Sequence, residues 1–367
     1  MSKHKLALFF GGCSSEHEVS CLSAASILAN IPSDKYEIYT VGITKQGNWY
    51  LYTGAVESIA NGSWEQSPAN RVAFLSPDPR VHGLLVQNGD TFETLPIDVI
   101  FPVLHGKNGE DGTIQGLFQL SGIPYVGCRT LASAVCMDKV FTNLLLDSFA
   151  VPQARFLWFY AIDYQSKKEA VRQEIADRLG GYPVFVKPAN AGSSVGVSKV
   201  HNESELDAAV AVAAKEDGKI LIEEFVDGQE VECAVLGNET PQASLVGEIL
   251  ASADFYDYED KYKSGTSRTE IPAHLPAETM EAIRSIAVHA YRSLGCSGLS
   301  RVDFFVRKSD GAVLLNELNT LPGFTSISMY PKLWEAGGVE YPDLLDRLIR
   351  LALEPQPKQS KEGCFYG

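Results

Sequence analysis

Apolar residues gather in short runs along the first part of the chain, and each run ends at a glycine, a proline or a polar turn. Residues 5–10, 36–44 and 98–104 form such runs, which predicts buried strands. An Ala- and Leu-rich segment up to about residue 28 and the segment 114–121 are predicted to be helices. Strands that alternate with helices indicate an α/β fold, and the first strand, glycine turn and helix are typical of a nucleotide-fold unit.

The regular pattern is interrupted between residues 50 and 95. This stretch is rich in Ser, Asn, Pro and Gly, the residues that favour turns and loops. We therefore predict a surface excursion with short strands that carries no functional site, since such segments usually run over the outside of a domain.

Beyond residue 130 the pattern changes to α+β. Predicted helices cover residues 132–149, with Lys139 in the early turns, and residues 276–294 and 341–353. Apolar runs predict strands at residues 184–187, 220–226, 230–236, 299–307 and 312–318. The last two strands are separated only by Lys308-Ser309-Asp310-Gly311, which predicts a β-hairpin.

Size and composition set the broad class. A chain of 367 residues is expected to form two or three domains, and 45% hydrophobic with 21% charged residues is typical of a soluble protein. The apolar run near the N-terminus is too short for a signal peptide, and no later segment approaches a membrane span. Seven cysteines without a CxxC pair predict reduced thiols and a cytoplasmic protein.

The formal net charge of −15 disfavours nucleic acid or an anionic membrane as a partner. An anionic nucleotide remains possible where lysines and backbone donors are concentrated. Lys187 stands in an apolar strand, where a charge is costly unless it meets an anion. The loop 190–197 follows at once, and its small residues, hydroxyls and backbone N–H groups predict a flap over phosphates.

The predicted hairpin offers a second polar cluster. Side chains alternate between the two faces of a strand, so Arg301, Asp303 and Phe305 share one face of the first strand. On the second strand, Leu315, Glu317 and Asn319 share one face in the same way. If the faces coincide, their oxygen ligands suit Mg²⁺ against nucleotide phosphates better than zinc. The alternative is a pair of solvated carboxylates; the apolar flanking residues favour the site, since buried charges need a partner or a metal.

Other polar positions leave more than one interpretation open. Glu16 follows the Gly11-Gly12 turn at the carboxyl edge of the predicted sheet, where α/β folds bind ligands, and His105 faces the same crevice. The neighbouring His17 is interpreted as a packing residue. The edge of the strand at residues 220–226 could offer backbone groups to an adenine, and Glu223 and Glu230 could bind the nucleotide or be ordinary surface acids. Residues 254–266 are interpreted as a lid.

Several ordered motifs resemble a known family. The chain resembles the ATP-grasp ligases in the order of four features: the strand lysine, the Gly-Ser-Ser loop, IEEF and RVDFF…NELNTLPG. Within that group it resembles the D-alanine–D-alanine ligase family, through the stretches GGCSSEHEVS, HGKNGEDGT, YEDKY and LPGFTSISMYPK. The resemblance covers essentially the whole chain. It implies a Rossmann-like N-terminal domain (1–127) followed by a two-lobed ATP-grasp fold, with a central lobe (128–222) and a C-terminal lobe (223–367).

The resemblance also implies a reaction. Two D-alanines and ATP would yield D-alanyl-D-alanine, ADP and phosphate, a step of peptidoglycan precursor synthesis in the cytoplasm. It implies two Mg²⁺ ions, or Mn²⁺ in their place, and a homodimer. A carboxylate is a poor acyl donor and must first be phosphorylated, so metals and lysines have charge to stabilise, and the later tetrahedral oxyanion needs preorganised donors.

Residue roles follow from the resemblance. The metal ions would be held by Asp303, Glu317 and Asn319, with Glu317 bridging them. Phosphate and nucleotide contacts would come from Lys139, Lys187, Ser194, Val195, Lys261 and Asn316. The adenosine pocket would be lined by Glu223, Glu224, Phe225, Val226, Glu230, Phe255 and Phe305. The first D-alanine would meet Glu16, Ser193, Tyr262 and His105. The second D-alanine and the oxyanion would meet Arg301, the Gly323 backbone N–H and Ser328.

Three alternatives compete with this interpretation. Another ATP-grasp carboxylate–amine ligase is disfavoured by Glu16, Tyr262 and Ser328, and Tyr262 also favours the dipeptide over D-alanyl-D-lactate. A catalytically silent nucleotide-binding protein would be expected to have lost a metal ligand or Arg301, which is present. An oxidoreductase is supported only by Gly11-Gly12, which lacks the remaining glycines of a dinucleotide motif.

Overall fold

The computed structural model describes residues 3–250 and 268–355, and these residues form a mixed α/β protein with three sheets. The strands of the first sheet are β1 (His4–Gly11), β2 (Tyr36–Ile43), β3 (Trp49–Tyr52), β4 (Arg71–Leu75), β5 (Gly83–Asn88), β6 (Thr91–Pro96) and β7 (Val99–Val103). Its helices are α1 (His17–Asn30), α2 (Val56–Ala60) and α3 (Thr113–Ser121), with a 3₁₀ turn at Ser63–Gln66. The order is β6-β5-β4-β3-β2-β1-β7.

The predicted α/β unit is confirmed at the centre of this sheet. Strand β1 pairs in parallel with β2 and β7, and its residues from Leu6 onward are buried because helices cover both faces. The excursion does contain short strands, and β3–β6 extend the sheet in antiparallel pairs as far as the exposed edge strand β6. Trp64 from this stretch is fully buried and packs 4.8 Å from Phe10, which makes it part of the core.

The single helix predicted over residues 132–149 is wrong. The chain forms α4 (Thr130–Met137) and α5 (Lys139–Ser148), separated by Asp138. Asp138 has an extended backbone, and its carboxylate accepts hydrogen bonds from Val140 N and Phe141 N, both at 3.1 Å. An aspartate that caps a helix in this way starts a new helix, so Lys139 is the first residue of α5.

The second sheet has the order β10-β9-β11-β8 and is antiparallel. Its strands are β8 (Phe156–Tyr160), β9 (Val184–Pro188), β10 (Ser198–Val200) and β11 (Lys219–Glu224). One face packs on α6 (Tyr164–Glu174) and α7 (Glu203–Ala213), with a 3₁₀ turn at Ala161–Asp163 and a π-helical turn at Ile175–Leu179. On the other face Val140 of α5 meets Phe156 and Leu221.

The third sheet has the order β14-β13-β12-β15-β16 and contains the predicted hairpin. Its strands are β12 (Gly228–Leu236), β13 (Gln242–Leu250), β14 (Arg268–Glu270), β15 (Leu299–Arg307) and β16 (Val313–Asn319). Helix α8 (Ala277–Ser293), which confirms the helix predicted over residues 276–294, packs behind the hairpin against Val302, Phe304 and Val306. Helices α9 (Met329–Ala336) and α10 (Tyr341–Leu353) join this sheet to the first core. The opposite face of the sheet carries the polar residues.

The predicted domain boundaries after residues 127 and 222 stay predictions. The sheets themselves fall in separate stretches of the chain, at residues 4–103, 156–224 and 228–319. Within the described ranges, no helix has the length and apolar character needed to cross a membrane.

Candidate active site

A cavity of about 650 Å³ lies where the three sheets meet. The loops after β1 and β7 supply one wall, β9 and β11 a second, and the hairpin a third. The cavity brings together most predicted site residues: Glu16, His105, Lys139, Lys187, Ser193, Ser194, Glu223, Glu224, Phe225, Val226, Glu230, Arg301, Asp303, Phe305, Asn316, Glu317, Asn319, Gly323 and Ser328. Val195 is exposed and is not among the lining residues. Phe255, Lys261 and Tyr262, with the predicted lid, lie outside the described residues.

The hairpin places its polar residues on one face by direct cross-strand pairing. Arg301 pairs with Asn319, and Asp303 pairs with Glu317. A β-bulge follows, after which Phe304 pairs with Leu315. The expectation that Leu315 shares the polar face is therefore wrong. The extra residue at the bulge reverses the alternation, so that Leu315 is buried in the core behind the sheet.

Arg301 is fixed by two carboxylates. Its Nε and Nη2 donate to Asp303 Oδ1 and Oδ2 at 2.7 and 2.6 Å, a bidentate pair, and Nε lies 3.0 Å from Glu232 Oε2. Burial disfavours the charged guanidinium, but Asp303 and Glu232 outweigh burial and raise the pKa of Arg301 well above its usual range. The side chain is thus a permanent cation, held in one orientation.

The donors opposite Arg301 suit a hard cation. Asp303, Glu317 and Asn319 offer carboxylate and amide oxygens on adjacent strands, the ligand type that Mg²⁺ and Mn²⁺ prefer. Within the described part of the chain, no group of three His, Cys, Asp or Glu side chains is arranged to hold a metal by itself. This fits Mg²⁺, which typically takes one or two carboxylates together with substrate phosphates. The residues present therefore fit a metal that arrives with a nucleotide.

Two lysines face this metal-binding side of the cavity. Lys187 is partly buried, with its side chain 14% exposed, and its Nζ lies 2.5 Å from Glu223 Oε2, while Asn143 donates to the other oxygen of Glu223 at 3.0 Å. Burial lowers the pKa of Lys187, but Glu223 more than compensates, so the net shift is upward and the amine stays charged. Lys139 Nζ donates to Ala191 O at 2.8 Å and lies 3.9 Å from Glu317 Oε2.

The flap loop contacts the loop after β1 through a hydrogen bond between two side chains. Ser193 Oγ donates to Glu16 Oε1 at 2.6 Å, and both Ser193 and Ser194 have positive φ angles, a strained conformation for residues other than glycine. A Cβ on Gly106 or Gly192 would lie only 2.6 or 2.9 Å from Glu16 Oε2. The carboxylate is therefore enclosed by backbone that leaves space for a small ligand only.

His105 and Glu110 complete this end of the cavity. His105 Nδ1 lies 3.0 Å from Leu321 O and Nε2 lies 3.2 Å from Ser23 Oγ, and burial lowers the pKa of this histidine. Glu110, which sequence reasoning did not place in the site, accepts a hydrogen bond from Gly106 N at 2.6 Å. Burial, with the charge of Glu16, raises the pKa of Glu110 well above its usual range. Both groups thus favour their neutral forms.

The opposite end of the cavity is largely apolar. Phe305 packs against Val226, and Phe225 lies 6.2 Å from the ring of Phe185. Glu224 lines the cavity, but its carboxylate is engaged by Arg155, whose N and Nε each donate to it at 2.8 Å. A flat apolar ring would fit between these side chains, with backbone groups of residues 223–226 at its edge.

Comparison with known proteins identifies the family. The family model described as D-ala D-ala ligase N-terminus matches residues 5–128, and the model described as D-ala D-ala ligase C-terminus matches residues 145–350. The chain belongs to the D-alanine–D-alanine ligase family. A ligase of this family from Acetivibrio thermocellus is 52% identical over 98% of each chain. One from Thermoanaerobacter pseudethanolicus is 51% identical over 99% of this chain and all of the relative.

Solved structures in the D-alanine–D-alanine ligase family share the fold. The VanG D-Ala:D-Ser ligase from Enterococcus faecalis is 42% identical with a TM-score of 0.86, and the alignment covers 96% of this chain and 100% of that one. The D-alanine–D-alanine ligase from Coxiella burnetii is 36% identical with a TM-score of 0.83, over 96% and 95%. The predicted Rossmann-like and two-lobed ATP-grasp architecture is confirmed. Members of this family are ATP-dependent ligases that use a divalent metal.

Proposed function

We propose that this protein joins two D-alanine molecules into D-alanyl-D-alanine, with ATP converted to ADP and phosphate, for peptidoglycan precursor synthesis. One observation carries the proposal: a single cavity holds the enclosed carboxylate of Glu16, the amines of Lys139 and Lys187, and the polar face of the hairpin. Glu16 has the charge to bind the ammonium of an amino acid. The lysines and the hairpin suit a triphosphate and its metal.

The first step is transfer of the γ-phosphoryl group of ATP to a carboxylate oxygen of the first D-alanine, which breaks the bond to ADP and gives an acyl phosphate. Glu16 binds the ammonium of this D-alanine, Ser193 orients the flap over it, and His105 lines the subsite. Lys139, Lys187 and Lys261 bind phosphates, with Ser194, Val195 and Asn316 as further nucleotide contacts. Two Mg²⁺ ions held by Asp303, Glu317 and Asn319 would neutralise charge on the transferring phosphoryl group. Adenosine occupies the apolar end, against Phe225, Val226, Phe255 and Phe305, with Glu223, Glu224 and Glu230 at its polar edge.

In the second step the deprotonated amine of the second D-alanine attacks the acyl carbon, the peptide C–N bond forms, and cleavage of the C–O bond releases inorganic phosphate. The carbonyl oxygen becomes an oxyanion, which Arg301 and the backbone N–H of Gly323 stabilise, while Ser328 binds the incoming D-alanine. Because Arg301 is held by Asp303 and Glu232 beforehand, little reorganisation is needed when the charge develops. The flap and the Tyr262 segment exclude water, which would otherwise hydrolyse the acyl phosphate.

Phosphate release from Mg-ATP is expected to depend on D-alanine. A continuous phosphate assay with purified protein measures this, with L-alanine and no amino acid as the two controls. Equal rates with L-alanine, or phosphate release that ignores amino acid, would contradict the proposal. Since the VanG relative is a D-Ala:D-Ser ligase, the product should also be identified by mass spectrometry from an equimolar mixture of D-alanine and D-serine. A predominance of D-alanyl-D-serine would overturn the proposed product.

We also propose a cytoplasmic homodimer. The described cysteines are free thiols, which agrees with a reducing compartment. Helix α5 leaves four apolar side chains 37–52% exposed on one side: Phe141, Leu144, Leu145 and Phe149. A continuous apolar stripe of this kind is typical of a surface that another protein covers, and we assign it to a second copy of the chain.

A charge within the stripe is expected to separate the copies. The substitution Leu144→Asp places a carboxylate in the proposed contact, whereas Val212→Asp places one at a similarly exposed position on α7. Sedimentation velocity should show a dimer for the wild type and Val212→Asp and a monomer for Leu144→Asp. A wild-type monomer, or an unchanged dimer in Leu144→Asp, would contradict the assigned surface.

A further inference from the structure

Asp138, the residue that separates α4 from α5, contacts more than the helix that it caps. While one carboxylate oxygen accepts from Val140 N and Phe141 N, the other accepts from Asn190 Nδ2 at 3.1 Å and lies 2.5 Å from Lys219 Nζ. Asp138 is buried, so these contacts are shielded from water. The carboxylate thus joins the start of α5 to Asn190, the first residue of the flap loop.

Neighbouring contacts strengthen the same junction. The residue after Asp138 is Lys139, whose backbone N donates to Ala189 O at 3.0 Å and whose Nζ donates to Ala191 O at 2.8 Å. The start of α5 is therefore bonded to three consecutive residues at the base of the flap. From the outer side, Asp217 Oδ2 accepts from Asn190 N at 2.9 Å and from Asn190 Nδ2 at 2.8 Å. Asn190 is held between two aspartates.

Electrostatics explains how an aspartate can stand so close to a site for phosphates. Lys219 forms an ion pair with Asp138, and its Nζ also lies 4.0 Å above the ring of Phe141. The negative charge of Asp138 is therefore compensated locally, and Lys139 remains available to an anionic ligand. Burial of both partners makes the hydrogen bonds stronger than they would be at the surface.

We propose that Asp138 is a positioning residue for the triphosphate of ATP. It fixes the phosphate-binding Lys139 and the flap 190–197 relative to each other, through Asn190 and Lys219. This inference rests on the proposed function, because it assumes that Lys139 and the flap bind the phosphates. It assigns no contact between Asp138 and the nucleotide itself.

The substitution Asp138→Ser separates this role from helix capping. Serine is a good N-cap residue, but its shorter side chain cannot reach Asn190 and Lys219. We expect the affinity for Mg-ATP to fall about tenfold, the value of one charge-assisted hydrogen bond, while the affinity for adenosine is unchanged. Isothermal titration calorimetry with both ligands measures this. The matched control is Asn202→Ser at the N-cap of α7, whose side chain accepts from Ser204 N at 3.1 Å, and it should alter neither affinity.

A second variant tests the link itself. Asn190→Ala should weaken Mg-ATP binding to a similar degree. The double variant Asp138→Ser/Asn190→Ala should lose little more affinity for Mg-ATP than either single variant, because both substitutions remove the same hydrogen bond between Asp138 and Asn190. Equal losses for ATP and adenosine would mean general structural damage, and additive losses would mean independent effects; either result overturns the proposal. If Asp138→Ser does not fold, the proposal requires that Asn190→Ala alone weakens the binding of Mg-ATP and leaves the binding of adenosine unchanged. Both titrations omit D-alanine, so they test the role of Asp138 separately from the proposed function, which the D-alanine-dependent phosphate assay tests.

Discussion

Substitution of Glu317 by glutamine is expected to abolish turnover. Glu317 stands directly opposite Asp303 in the hairpin, with Lys139 Nζ 3.9 Å away, so its charge lies where the metal and the phosphates would meet. A metal ion would supply several kcal/mol of transition-state stabilisation, and loss of one carboxylate that would hold it is expected to lower kcat by roughly 10³-fold or more. D-alanine-dependent phosphate release measures the effect.

The fold should survive this substitution. The side chain of Glu317 is 35% exposed, and glutamine has nearly the same shape, so circular dichroism and Tm should remain close to wild type. The matched control is Asp310→Asn in the turn of the same hairpin, where the carboxylate pairs with half-buried Arg307 and accepts a hydrogen bond from Ala312 N at 3.1 Å, outside the cavity. Near-normal turnover of Glu317→Gln would rule out Glu317 as a metal ligand, whereas a comparable loss in Asp310→Asn would indicate a general defect of the hairpin.

The hairpin shows how far local sequence information reaches. Strand β15 begins and ends where the alternation of apolar and polar residues predicts, because one face packs on α8 and the other faces the cavity. The bulge in the middle of β16, between Leu315 and Glu317, could not be predicted in this way. The bulge depends on the register between the two strands, that is, on which residues pair across them. The local sequence does not show whether Leu315 faces the core or the cavity.

The break at Asp138 has a similar explanation. The segment 132–149 contains neither Pro nor Gly, so its sequence predicts one continuous helix. What stabilises the break is a set of contacts from distant parts of the chain, since Asn190 and Lys219 both bind the same carboxylate. Tertiary contacts override local propensity here, and they make Lys139 the first residue of a new helix.

The sequence did not reveal the residues that orient other site residues through ion pairs and hydrogen bonds. Glu232 alternates with Glu230 along β12 and pairs with Asp303 across the sheet, which was the available signal for its position beside Arg301. Arg155 gave no such signal, because its partner Glu224 lies far along the chain. Motifs resembling the family pointed to groups that would meet substrate, whereas these supporting contacts exist only once the sheets are assembled.

Arg301 has the second of the two largest predicted effects. Its planar guanidinium satisfies two oxygens of Asp303 at once and still reaches Glu232, a geometry that the single ammonium of lysine cannot reproduce. The substitution Arg301→Lys keeps the positive charge beside two buried carboxylates, so the protein is expected to fold. What it removes is the fixed orientation of the donor that would stabilise the developing oxyanion in the proposed reaction.

We expect Arg301→Lys to lower kcat/KM for D-alanine by roughly 10²–10³-fold, the usual effect of removing one preorganised oxyanion donor. Affinity for ADP, measured by calorimetry, should remain close to wild type because the adenosine end of the cavity is separate. The matched control is Arg307→Lys on the same strand, where an exposed pair with Asp310 at 2.8 Å contributes little. If both variants kept similar activity, or if Arg301→Lys lost nucleotide binding as well, Arg301 would serve the fold of the hairpin and not the bond-forming step.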